Sequence, residues 1–137
     1  MVKIIIGKKG SGKTKKLVDL VNAAAEKSNG NVVCIEKGDT LKFNITHKVR
    51  LIDAEHYGIC GFDAYYGMIC GVLAGNYDVT DLFGDATLRI GSRDYAELEA
   101  FLNKIKVVSE EAKVDIVFTV SADKEELPEG VLAYVAE

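Results

Sequence analysis

The stretch that most constrains this chain is its first thirty residues. An apolar run, Val2 to Ile6, ends at Gly7 and opens into G-K-K-G-S-G-K-T. An amphipathic stretch follows, with Leu17, Val18, Leu20, Val21, Ala24 and Ala25 on one face. The loop satisfies G-x-x-x-x-G-K-[ST], with Gly7, Gly12, Lys13 and Thr14 in the defining positions. Gly7, Gly10 and Gly12 let the backbone take conformations that a Cβ forbids and approach a ligand closely. Successive N–H groups then point into one concavity, at the positive end of the helix that begins near Gly12. Lys13 is placed to reach β- and γ-phosphates, and the Thr14 hydroxyl to ligate Mg²⁺. The phosphate-binding set expected is Gly7, Lys8, Lys9, Gly10, Ser11, Gly12, Lys13, Thr14 and Lys15, with Lys16 adding to the local basic patch.

Strand, glycine-rich loop and helix in this order resemble the P-loop NTPase superfamily, of the RecA and AAA+ type. The whole chain is similar to a group of small, single-domain bacterial ATP-binding proteins that are often labelled twitching-motility (PilT-like). The similarity extends through Y-G-I-C-G-F-D-A-Y-Y-G (57–67), N-Y-D-V-T-D-L-F-G-D (76–85) and F-T-V-S-A-D (118–123), and so covers most of the chain. The motors that the label names are longer and carry acidic and histidine motifs that this sequence lacks. The resemblance implies a three-layer α/β/α P-loop domain with a mostly parallel sheet, ATP and Mg²⁺ as ligands, and ATP hydrolysis as an activity. No N-K-x-D guanine motif occurs, which leans the expectation toward ATP.

The rest of the sequence is consistent with one domain over residues 1–137. A chain of this length buries about 70% of its unfolded surface without disulfides or metals. A net charge of −4 gives no general pull toward nucleic acid or anionic membrane. Cys34, Cys60 and Cys70 form no C-x-x-C pair, and His47 and His56 lack metal-ligand spacing, so a reducing cytoplasm is expected and a zinc site is not. No signal peptide is evident ahead of the first strand.

Further along, Asn31–Ile35, Leu41–Ile45, Val49–Asp53, Val79–Gly84, Asp115–Val120 and Val131–Val135 read as strands. Leu41–Ile45 and Val49–Asp53 suggest a small hairpin at one sheet edge. Ser92–Ala112 reads as a helix capped by Ser92 or Asp94, with Asp94 and Glu97 spaced as a capping box. Residues 57–75 are apolar, with Gly67, Gly71 and Gly75 every four residues. Asp63 and the run's length argue against a membrane span. The reading is a helix packed closely on the sheet, or against a second subunit, with Tyr57, Phe62, Tyr65 and Tyr66 at its start.

Strands alternating with helices place ligands at the carboxyl ends of the strands, where the loop, Asp85 and Ser121 lie. A P-loop site needs an acidic residue at the end of a neighbouring strand beside Mg²⁺. The resemblance favours Asp85, while Asp53, which ends the more hydrophobic strand, competes on pattern alone and is the alternative. The resemblance to RecA and AAA+ ATPases implies that the strand 116–120 lies between the loop strand and the Asp85 strand, with Thr119 and Ser121 near the γ-phosphate. Many such ATPases carry glutamate after this aspartate; here that position is Ala86. Glu36, Glu55 or Asp81 would have to stand in, and Arg89 and Arg93 are candidates for arginine fingers across a dimer.

The leading functional expectation is an ATP-binding switch with slow or partner-stimulated ATPase activity. A nucleoside-type kinase is an alternative: the loop is similar to that of thymidine kinases, and I-D-A-E (52–55) faintly to their acidic strand end, but their zinc-binding cysteines are missing. Partitioning ATPases offer another comparison, with Lys8 at their extra lysine but Lys9 replacing a glycine. A non-hydrolysing structural partner is the remaining class. A homodimer would form through the Gly67/Gly71/Gly75 helix or across the ATP site.

Overall fold

The computed structural model describes residues 1–136. In chain order the elements are β1 (Val2–Gly7), α1 (Lys13–Lys27), β2 (Asn31–Glu36), β3 (Arg50–Asp53), α2 (Phe62–Gly75), β4 (Val79–Gly84), α3 (Thr87–Ile90), α4 (Tyr95–Ala112), β5 (Asp115–Ser121) and α5 (Glu129–Leu132). The five strands pair in the order β1-β5-β4-β2-β3, and every pairing is parallel. β5, last in sequence, therefore inserts between β1 and β4, as the resemblance to RecA-type ATPases implied.

Alternate strand residues feed two separate cores. Ile5, Val32, Cys34 and Phe83 pack with Leu17 and Val21 of α1 on one face. Ile4, Val33, Ile35, Leu82, Ile116 and Phe118 pack with α2 and α4 on the other. Burial on both faces is why β2 and β5 read as continuous apolar runs. Helices on both sides of the sheet make the fold a three-layer α/β one.

Several local expectations are corrected. Leu41–Ile45 is a pair of turns, with Asn44 and Ile45 N–H groups donating to the Leu41 carbonyl. Leu41 and Ile45 both enter the α1-side core while Phe43 is 89% exposed. The apolar spacing of four is thus a turn's period, and no hairpin forms; β3 runs parallel to β2. Val131–Val135 is likewise not a strand. Its first part lies in α5, which starts after Pro128, and Val135 then makes one parallel bridge to Ile4 on the outer edge of β1.

The helix expected from residue 57 begins at Phe62, because Gly58 and Gly61 take φ of 68° and 92°. Tyr57 lies outside it and is exposed. α2 buries Phe62, Tyr65, Ile69 and Leu73. Gly67, Gly71 and Gly75 face away from the sheet, with no atom within 4 Å of where a Cβ would stand. The glycines therefore do not serve close packing within the chain. In α4, Asp94 caps by accepting from Ala96 and Glu97 N–H, whereas the Glu97 carboxylate accepts from Ser92 Oγ at 2.6 Å. The capping box is half formed. Among the described residues, no helix is long and apolar enough to cross a membrane.

Candidate functional site

The loop after β1 carries left-handed backbone at Gly10 (φ 84°) and Gly12 (φ 92°), and Gly12 is the N-cap of α1. A side chain at Gly7 would collide with the Ser11 hydroxyl. These glycines give the loop a curl that other residues resist. Lys13 is only 9% exposed, folded back so that Nζ donates to the Lys8 carbonyl at 2.9 Å. Burial lowers its pKa, and the nearby Asp85 carboxylate partly opposes that shift. A buried ammonium held by one carbonyl is a charge in want of an anion.

β5 lies between β1 and β4 and sets the spacing of the site. Asp85 follows β4, and its amide donates to the Ile35 carbonyl at 2.8 Å. The Thr14 hydroxyl donates to the Asp85 carboxylate at 3.2 Å. The Thr119 hydroxyl donates to Asp85 Oδ1 at 2.5 Å and accepts the Ala86 N–H at 3.2 Å. Ala86 itself sits in the left-handed region (φ 55°), strained for a residue with a Cβ. Lys9, Gly10, Lys13, Thr14, Asp85, Ala86, Arg89, Arg93, Thr119 and Ser121 line a single cleft of 480 Å³.

Other residues singled out in the sequence fall elsewhere. Asp53 ends β3 at the far sheet edge, four strands from β1, or roughly 19 Å away at the usual strand spacing. Its carboxylate accepts from Gly38 and Glu55 N–H, which lower its pKa from the ordinary aspartate value and make it a turn-former. Glu55 follows it on the same edge, exposed. Asp81 is four residues before Asp85, so it lies about 13 Å back along β4, beside the Thr80 hydroxyl. Glu36 is buried and accepts from Thr40 N–H, Thr40 Oγ1 and Leu41 N–H. None of the four is a lining residue of the cleft.

Within the loop, Lys15 pairs with Asp19 and Lys8 with Asp123, both at the surface. Arg89 and Arg93 face this chain's own cleft, and Arg93 donates to the Ser121 carbonyl at 3.3 Å. The double engagement of Thr119 was the least legible feature. The sequence placed Thr119 near the γ-phosphate, but its contacts with the Asp85 carboxylate and the Ala86 N–H follow only from how the strands pack.

The donor set fits a magnesium nucleotide. One carboxylate and one hydroxyl beside a glycine-built N–H cradle suit a hard cation that completes its shell with phosphate oxygens and water. Among the described residues no cluster of three or more His, Cys, Asp or Glu side chains forms an independent metal site. Cys34 is buried, and desolvation, with the Asp85 and Glu36 charges, pushes its thiol up to about 12.

No family model matches the chain, and no curated protein matches it. Among solved structures, the flagellar accessory protein FlaH from Methanocaldococcus jannaschii is similar, with a TM-score of 0.60 and 20% sequence identity. The match covers 96% of this chain and 65% of FlaH, so the chain spans less than two thirds of that protein. At this identity the likeness shows the fold, a parallel α/β sheet layered by helices.

Proposed function

We propose that the chain binds ATP with Mg²⁺ and works as a nucleotide-dependent switch with slow or partner-stimulated hydrolysis. The observation that carries this is the contact of Thr14 with Asp85 at the mouth of the glycine loop, beside the buried Lys13. The loop N–H groups and Lys13 would hold the phosphates, and Thr14 and Asp85 the cation. The cation, when bound, would neutralise phosphate charge. Thr119 fixes the Asp85 carboxylate in place, and Arg89 and Arg93 offer positive charge to the terminal phosphate side of the cleft.

Slow turnover is favoured over rapid hydrolysis because Ala86 stands where a water-polarising glutamate would be needed. Glu36, Glu55 and Asp81 are held elsewhere. The test is calorimetry with ATP, with and without Mg²⁺, alongside phosphate release. Lys13→Ala should weaken ATP binding by about a hundredfold or more, the scale for a buried charge contact, and leave the circular dichroism spectrum unchanged. Equal binding by parent and variant would assign the chain instead to a structural, non-nucleotide role.

The kinase reading retains one favouring observation: Arg89 and Arg93 form no ion pair among the described residues and face the cleft, where they would suit an anionic second substrate. Nucleoside-dependent ADP formation would select it. A homodimer, through α2 or across the site, is tested by light scattering with and without ATP.

A further inference from the structure

Two hydroxyls in the core lack any hydrogen-bond partner among the described residues: Tyr65 Oη and Thr87 Oγ1. Both residues are fully buried. Both also flank the metal-side aspartate. Tyr65 Oη lies against the backbone of Gly84, where a Cβ would collide with it, and Thr87 opens α3 two residues after Asp85. Between them stands Ala86 with its left-handed backbone. An orphaned buried hydroxyl costs about 1–3 kcal/mol, and a non-glycine residue in the left-handed region about 1–2 kcal/mol. Three unfavourable features thus fall within four consecutive residues and the side chain packed on them.

The same segment is gripped at both ends by the start of α2. Tyr65 touches it at Gly84, the Phe62 ring packs on Gly91, and the Gly61 N–H donates to the Ile90 carbonyl at 2.8 Å. A shift of residues 84–91 cannot occur without displacing the first turn of α2, because close-packed interiors transmit such shifts rather than absorb them. Asp85, in turn, is held by two hydroxyls, and one of them, Thr14, is the group that the nucleotide reading assigns to the cation.

We propose that residues 84–91 form a two-state switch, strained as described here, whose ATP-bound state gives the Tyr65 and Thr87 hydroxyls hydrogen-bond partners and moves the start of α2. This rests on the nucleotide reading. Rearrangement of the Thr14–Asp85 contact on binding frees the turn, Ala86 leaves the left-handed region, and the two hydroxyls become satisfied. Their satisfaction contributes to ATP affinity, although neither group touches the nucleotide. Tyr65 and Thr87 are positioning residues.

Tyr65→Phe and Thr87→Val each remove an orphaned hydroxyl while nearly keeping shape. Each should raise the nucleotide-free Tm by roughly 3 °C and weaken binding of ATP with Mg²⁺ roughly five- to tenfold. Thr87→Ser, which keeps the hydroxyl, should bind like the parent. Hydrogen exchange should change at amides 62–65 and 87–90 when the parent binds ATP, and change less in Tyr65→Phe. If the parent binds ATP but both variants bind it equally well, or the exchange change stops at the loop, the switch is overturned while the nucleotide site stands. If the parent itself binds no ATP, the nucleotide reading fails and the switch fails with it.

Discussion

Single residues in this chain act through what surrounds them. Asp85 has one carboxylate shared by Thr14 and Thr119 hydroxyls from two other elements. Asp85→Asn keeps the shape and removes the charge. Its ATP affinity without Mg²⁺ should stay near the parent's, while the gain on adding Mg²⁺ is lost, which titration calorimetry in the two buffers would show. Glu36 teaches a separate lesson. Burial raises its pKa above the ordinary glutamate value, against the opposing effect of its bonds from Leu41 and Thr40. The folded chain therefore binds more protons than the unfolded chain between those two values. Stability should fall as pH rises through that window. Glu36→Gln should flatten this part of a Tm-versus-pH curve.

At the scale of elements, the sheet brings distant segments into register and the helices fix their distance. β4 meets α2 at Gly84, where an added Cβ would strike the Tyr65 hydroxyl and the Phe118 ring. Neither neighbour can swing clear within the packed aromatic group of Tyr65, Phe101 and Phe118. Gly84→Ala should cost about 1–3 kcal/mol by urea unfolding, a loss seen even without nucleotide. The Asp94 cap of α4 is an exposed, local contribution. Asp94→Ala should cost about 1 kcal/mol and leave ATP affinity at the parental value.

For the whole molecule, the site is a junction of both cores. α1, packed on one face of the sheet, supplies Thr14, and the turn after β4 rests on Tyr65 from the other face. A ligand held there would tie the two layers together. ATP with Mg²⁺ at a hundred times Kd should stabilise the chain by about 2.7 kcal/mol. That corresponds to a Tm rise of roughly 10 °C for a domain of this size, absent in Lys13→Ala.

The sequence by itself determined the glycine loop, its strand and helix, and the parallel α/β class. These depend on local backbone freedom and on periodic burial, which residue type and spacing encode directly. It offered Asp85 and Asp53 as strand-end carboxylates, and the family resemblance favoured Asp85. It misled at Leu41–Ile45 and Val131–Val135, where short apolar spacings suit a turn or a short helix as well as a strand, and burial chose turns at the first and α5 at the start of the second. It left Asp53 in competition, since both aspartates end strands. Their separation in space is a matter of tertiary structure: strand order is a long-range property, and it sets Asp85 against Thr14 and leaves Asp53 at the far sheet edge. The orphaned hydroxyls of Tyr65 and Thr87 belong wholly to that second kind, because a missing partner is a fact about neighbours and is written in no single stretch of chain.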